Sequence, residues 1–454
     1  MRQPKRGGEF VVDKIKVLVL ADYGCSTGFG QVASNIMQRL NATGKYEFTV
    51  IGINYDPVNE IDPKRWPGRI IPAVTVSDMH APDVYGRQKL LNELGKGIYD
   101  IFFTIQDTFI IQTIMQQIEA TREALEKKFA TIFYYPIDAT PKKEWIEQCV
   151  ALTDFPVPYT NYAREETLLA FPEVAGKLCQ PIYHGTNLKD FYVIKDRQDV
   201  ADFRHKYFGG NADGKFLITN INRNQPRKDI LRSFMVLKEL RDRGRDNAVL
   251  YLHMAHDDAG GNLLVQADHF GFELNKDFIL PSPKVFSVNQ GLPLEWINRI
   301  YNASDAILST TLGEGWGLSI TEAMATRKPI IAPDNTSLHE MMADNRGYLV
   351  PSGSIISNWL TLGASDNERM RPLMDVKAAA AALEKVMDGK LPDLDGAQQW
   401  VKKHSWDAVC EDWKTVFDGA YDHAVQLNKV ASQPVKLNRQ QRRALERKQK
   451  KVAI

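Results

Sequence analysis

"ASDAILSTTLGEGWGLSITEAMATRKPIIAPDNTSLHEMM", residues 303–342, holds the pattern from which the rest of the chain can be placed. The apolar run "AILST" ends in a glycine-bearing loop, the loop opens a helical pattern "LSITEAMA", and a second apolar run "PIIAP" follows. Seven residues lie between Glu314 and Glu322, so Glu314 falls on the loop at a strand's carboxyl end and Glu322 just over one turn into the helix. Both carboxylates can then face the crevice where open α/β sheets bind ligands. Carboxylates there can accept hydrogen bonds from hydroxyl groups, while the unpaired amides of Gly315, Trp316, Gly317 and Leu318 can receive an anion.

Working outward, the same alternation of short β-branched or aromatic runs with helical patterns recurs twice. "KIKVLVL", "EFTVIGI", "DIFFTI" and "ATIFYY" form a first series, and "KFLITNI", "AVLYLHM", "DFIL", "AILST" and "PIIAP" a second. Such alternation predicts an α/β fold of two doubly wound parallel-sheet domains. The polar stretch 186–214, ending in Gly209, Gly210 and Gly214, places the boundary near residue 191. The expected order is an arm at 1–13, a first domain at 14–190, a second at 191–400, a closing helix at 401–430 and a tail at 431–454. Residues 351–375 lack a clear period and read as a loop insertion. Trp406, Val409, Cys410, Trp413, Val416, Phe417, Ala420, Tyr421 and Ala424 recur at helical spacing and predict a long packed helix.

The chain has 454 residues, more than one core usually serves, with 44% hydrophobic and 25% charged residues. No apolar stretch approaches a bilayer-spanning length and "MRQPKRGGEF" lacks an apolar segment behind it, so a cytoplasmic protein is expected. Cys25, Cys149, Cys179 and Cys410 are far apart and form no CxxC pair, which predicts reduced thiols rather than a zinc site or disulfides. In "VKLNRQQRRALERKQKKVAI", residues 435–454, eight Lys and Arg face only Glu446. That tail carries +7 of a net +1, leaving an acidic body, and points to a polyanionic partner or to a merely solvated terminus.

The first strand also ends in a glycine loop, "DYGCSTGFGQVASNI" at 22–36, where Gly28, Gly30 and Ala33 have dinucleotide-fingerprint spacing. Two mismatches argue against NAD. Seven residues separate Leu20 from Gly28, and Asp56 lies 26 residues past Gly30, beyond the apolar run. Taken alone the loop is either a phosphate contact or a simple turn.

The 303–342 segment resembles the GT-B superfamily of nucleotide-sugar glycosyltransferases, in particular the retaining family 4 (glycosyl transferases group 1). The likeness rests on two glutamates around a small-aromatic-Gly-Leu core, the "EAMA" helix and the following strand. It extends to "ITNINRNQPRKDI", which is similar to the strand-loop-helix that sets an Arg and a Lys on the donor pyrophosphate, here Arg223 and Lys228. "PIYHGTNLKDF" resembles the interdomain linker and "VPYTNYARE" the strand and helix start before it. Thr326 and Arg327 stand where the family has a small residue and Gly, so a different helix end is expected. "PIDATP" replaces a common histidine; Asp138 there is a candidate acceptor-side group or, equally, a cap or turn residue. Asp22, Gln106 and Asp107 fall at strand ends facing the crevice.

The resemblance implies transfer of a sugar from a nucleoside-diphosphate donor to a hydroxyl with retained configuration. Glu322 would hold ribose hydroxyls and Glu314 those of the donor sugar. Arg223, Lys228 and the amides at 315–318 would neutralise the departing diphosphate, without metal or cofactor. The loop at Gly28 and Gly30 would meet the donor phosphates on domain closure. No Ser/His/Asp arrangement offers a nucleophile, and glycosidase chemistry fits less well because these carboxylates flank a phosphate-type helix terminus. The tail's charge makes a hydroxylated DNA base, as in some bacteriophages, the favoured acceptor. A lipid or glycan acceptor and a non-catalytic binding module are the alternatives.

Overall fold

Runs too short for helices and rich in β-branched and aromatic residues become the parallel strands of two sheets. In the computed structural model the described residues are 13–58, 60–74, 83–282, 286 and 291–432. Most of the N-terminal arm and the basic tail from 433 onward lie outside them. The first sheet contains β1 (Ile15–Asp22), β2 (Tyr46–Ile53), β3 (Arg69–Pro72), β4 (Ile101–Ile105), β5 (Ala130–Tyr135) and β6 (Phe155–Pro158). Its order is β3-β2-β1-β4-β5-β6 with every pair parallel, Val19 lying opposite Val50 on one side and Phe103 on the other. The side chains of Val17 to Ala21 are wholly buried, as a strand covered on both faces requires.

The second sheet repeats this order with β7 (Phe216–Ile221), β8 (Ala248–His253), Phe278–Ile279, Ala306–Leu308, Ile330–Pro333 and Tyr348–Val350. In each sheet the strand order reverses beside its first strand, and there the carboxyl ends open a crevice. β3 escaped the periodicity reading because four residues ending in Pro72 give too short a signal. The supposed loop insertion at 351–375 also holds structure: Trp359–Thr361 pairs antiparallel with Met370–Pro372. These strands have three residues each, and the turn sets Asn367 and Glu368 in left-handed backbone, so the composition reads as loop.

The chain crosses between domains twice, and the two crossings bind each other. The Thr186 amide donates to the His404 carbonyl (3.0 Å), and the Trp406 amide donates to the Thr186 carbonyl (3.3 Å). The long helix Trp406–Ala431, capped by Ser405, therefore returns to the first domain. Trp413 packs 5.5 Å from Phe103 and 4.7 Å from Tyr134 between ring centroids, and Phe417 lies 5.6 Å from Tyr46. Gly185 makes the crossing possible, because a Cβ there would sit 2.4 Å from the Trp406 Cα. Gly185→Ala is expected to lower unfolding free energy by about 1–3 kcal/mol through overpacking. Gly176→Ala, where a Cβ meets nothing within 4 Å, should change it by less than about 0.5 kcal/mol in the same denaturant titration.

Candidate active site

The loop after Ala306–Leu308 is built to hold one carboxylate under the start of a helix. The Glu314 amide donates to Thr336 Oγ1 (2.9 Å), and Ser337 Oγ donates to the carbonyls of Glu314 (2.8 Å) and Trp316 (2.9 Å). Gly317 then takes φ +105°, a left-handed conformation suited to glycine, and opens the helix Leu318–Ala325 without a side-chain cap. Its first-turn amides point where a bound anion would complete them. At the other end Arg327 adopts φ +57° where a glycine is usual, and pairs with Asp395. The expected difference in helix ending is thus one of residue type, while the left-handed turn is kept.

Glu314 is buried against two cations from one tight turn. After β7 the 3-10 turn Pro226–Lys228 is held by the Arg227 carbonyl accepting from the Leu312 amide (2.7 Å) and the Lys228 carbonyl from Thr310 Oγ1 (3.0 Å). Lys228 Nζ donates to Glu314 Oε1, and Arg227 Nη1 donates to Glu314 Oε2 (3.3 Å) and the Gly313 carbonyl (3.0 Å). Burial alone would raise the Glu314 carboxyl, but the Lys228 ammonium and Arg227 guanidinium outweigh it and keep it ionised. Arg223, the cation expected beside Lys228, instead grips Asp258 (2.8 and 3.3 Å) in an ion pair of its own. Arg227 stands next to Lys228, and its adjacency in "PRK" was the available signal.

The first domain reaches this turn through Asp138. Burial would raise its carboxyl, but Arg371, Arg227 and Arg369 hold it below the usual range. Arg369 Nη1 donates to Asp138 Oδ1 (3.1 Å), Arg371 Nη2 to the same oxygen (3.3 Å), and Arg227 Nε lies 3.7 Å from Oδ2. Arg369 and Arg371 come from the hairpin at 359–372, and Arg371 is braced by Asp366 (2.5 and 2.7 Å). Two more loops touch across the crevice: a Cβ on Gly28 would lie 3.6 Å from Leu318 Cδ1, and one on Gly315 would lie 2.5 Å from Pro136 Cβ. Gly30 is fixed beside Gly28 by Thr27, whose Oγ1 accepts from the Gly30 amide (3.1 Å) and donates to Asp22 (2.7 Å). Trp316, by contrast, has its side chain in the hinge, 5.1 Å from Tyr183, 5.3 Å from His184 and stacked 6.1 Å from Trp400.

Glu322 lies further along the crevice, which it lines with Gln31 and Asn35 of the helix Gly28–Ala42 and with Asp190 of the linker. Burial pushes its carboxyl from 4.5 to about 7, although Tyr301 donates to it (2.7 Å). An unfolded chain loses this proton near 4.5 and the folded chain near 7, so the group's contribution to stability is complete at low pH and is lost as pH rises between those values. Glu322→Gln, which still accepts from Tyr301, should therefore raise stability at pH 7 by roughly 1–3 kcal/mol and flatten this part of the stability–pH curve. Denaturant titrations at several pH values read the difference directly.

Comparison with known proteins bears on the segment and on the fold. Residues 286–360, which include both glutamates, match the model of the family Glycosyl transferases group 1. The trehalose synthase of Pyrococcus horikoshii is 30% identical over 138 residues, which is 30% of this chain and 32% of that protein. The chain thus spans about a third of the length of the curated relatives it matches. Sucrose-phosphate synthase from Thermosynechococcus elongatus superposes with a TM-score of 0.63 at 17% identity, over 90% of this chain and all of that one. Anabaena HepE in complex with UDP and glucose superposes with a TM-score of 0.62 at 14% identity, over 89% of this chain and all of its own. Among the described residues no helix is long and apolar enough to cross a membrane. The chain has the two-domain GT-B fold, and residues 286–360 of its second domain match the glycosyl transferases group 1 model.

Proposed function

We propose that the chain is a retaining glycosyltransferase that moves a sugar from a nucleoside-diphosphate donor to an acceptor hydroxyl. The observation that carries this reading is the Glu314–Lys228 pair under an uncapped helix start, with Glu322 on that same helix and Gly28 of the first domain closing over Leu318. The donor's diphosphate fits the amides at 315–318 together with Lys228 and Arg227. Arg223 can join them only by leaving Asp258. In this reading Glu322 accepts from ribose hydroxyls and Glu314 from hydroxyls of the donor sugar. The UDP and glucose bound by HepE support a donor of this class.

In the reaction the acceptor oxygen bonds to the anomeric carbon on the face from which the diphosphate leaves. The carbon–phosphate-oxygen bond breaks, and the acceptor's proton passes to the leaving phosphate oxygen. No side chain needs to act as nucleophile. Lys228, Arg227 and the helix amides stabilise the charge that grows on the diphosphate, and closure keeps water away from the anomeric carbon. With a panel of nucleotide sugars, Lys228→Ala should lower diphosphate release at least 100-fold, on the order expected for losing a fixed charge stabiliser. Wild-type protein that binds such a donor but never releases diphosphate with any acceptor would overturn the reading.

For the acceptor we favour a hydroxyl carried on a polyanion, a hydroxylated DNA base in the first instance. The support is the +7 charge of residues 435–454, which lie outside the described residues. Deleting 433–454 should weaken DNA binding and reduce the slope of log affinity against log salt by several units, since each phosphate contact contributes about 0.9. An unchanged slope removes DNA as the partner.

A further inference from the structure

Two polar contacts between the domains differ in kind. One lies beside the double crossing of the chain. Glu340, on the second-domain helix Thr336–Met342, accepts from the Asn161 amide (3.3 Å) and side chain (2.9 Å), the Tyr162 amide (3.3 Å) and the Tyr183 hydroxyl (2.7 Å). The carboxylate thereby meets free amides at the start of the first-domain helix Asn161–Ala170, and it shares Tyr183 with the linker two residues before Gly185. A contact beside the crossing moves least when the domains turn about it.

The other contact is the network at Asp138. The hairpin 359–372 forms a two-stranded sheet of its own. Within it Arg371, 1% exposed, is locked to Asp366 and donates to the first domain at the Asp138 carbonyl (3.0 Å) and carboxylate (3.3 Å). Arg369 is more one-sided. Its guanidinium engages two first-domain partners, the Asp138 carboxylate (3.1 Å) and the Trp145 ring, whose centroid lies 5.1 Å away. Those contacts add nothing to the fold of the hairpin that carries them; they act only between domains. They also set how closely the domains approach. A Cβ on Gly313 would collide with the Asp138 carbonyl and one on Gly315 with Pro136, so the two loops touch directly. Asp138 Oδ2 faces Arg227 as well, the guanidinium that holds Glu314. All three members, Arg369, Arg371 and Asp138, are largely buried, so a charge that lost its partner there would stay uncompensated until the crevice opened to water.

We propose that the hairpin 359–372 is an ionic clasp: Arg369, with Arg371, seizes Asp138, holds the crevice closed with the chain's own ions, and must let go for the crevice to open. Arg369 is a positioning residue, which acts on Arg227 and on the loop at 313–315 through Asp138. The clasp concerns the arrangement of the two domains and stands apart from the transferase reading.

The test uses the full chain with no ligand added, so its failure and that of the transferase reading are separate. Energy transfer is measured between dyes carried on non-natural residues at Val58 and Val265, both exposed, with small-angle scattering for the radius of gyration. Val58 follows β2, next to the sheet edge opposite the one from which the linker leaves, and Val265 lies on the helix Leu263–Asp268 after β8. Wild type should show one short, closed distance. Arg369→Asp, which sets two carboxylates together, should raise the open-to-closed ratio at least about tenfold and enlarge the radius of gyration. Adding Asp138→Asn removes that repulsion and should bring the ratio back toward closed, a coupling that separate structural damage at the two sites would not give. Arg369→Gln should open the crevice less than Arg369→Asp does. A wild-type crevice already open, an Arg369→Asp distance equal to that of wild type, or opening that Asp138→Asn fails to reverse overturns the proposal.

Discussion

Charges taken out of water must find opposite charges or be lost, and the crevice is organised around that requirement. Lys228, Arg227, Arg369 and Arg371 stand against Glu314, Asp138 and Asp366, all at the meeting of two domains. Removing one member of such a set leaves the others uncompensated, which costs far more than the intact set contributes. The two faces of the crevice are therefore held together by their own ions. In the proposed reaction an incoming diphosphate would have to replace contacts that already exist rather than enter a bare positive cleft.

The same requirement explains which parts of the site can be read along the chain. Glu314, Gly317 and Glu322 belong to one strand-loop-helix unit, so their spacing is local and carries its meaning within a dozen residues. Lys228 is legible for the same reason, from the strand and turn around it. Arg369 and Arg371 are not, because they reach Asp138 from more than 200 residues away in sequence, on a hairpin whose strands are too short to show a period. Asp138 could be seen as polar and well placed, but its arginine partners are a property of the fold. Arg223 shows the opposite case: it precedes Lys228 in the same loop, and the carboxylate of Asp258 holds it.

Trp316 lies between the glycines of the loop that opens the helix Leu318–Ala325, so the sequence alone directs attention to it as a contact. The fold turns its ring away into Tyr183, His184 and Trp400, where burial of a large aromatic surface outweighs the unmet indole N–H. His184 in turn is held by Tyr134 of the first domain (2.6 Å), and burial keeps its ring neutral, with its pKa lowered to about 3. The loop that carries Glu314 is thus packed directly onto the segment about which the domains are joined.

The return of the helix Trp406–Ala431 to the first domain has a consequence for how the chain is made. Phe103, Tyr134 and Tyr46 wait for Trp413 and Phe417 to cover them, and those residues leave the ribosome only after the whole second domain has been synthesised. The second domain, whose strands and helices are contiguous from Phe216 onward, can complete its core first. The first domain to be translated is then the last to close, and its aromatic face stays open to solvent or to a chaperone for the interval between.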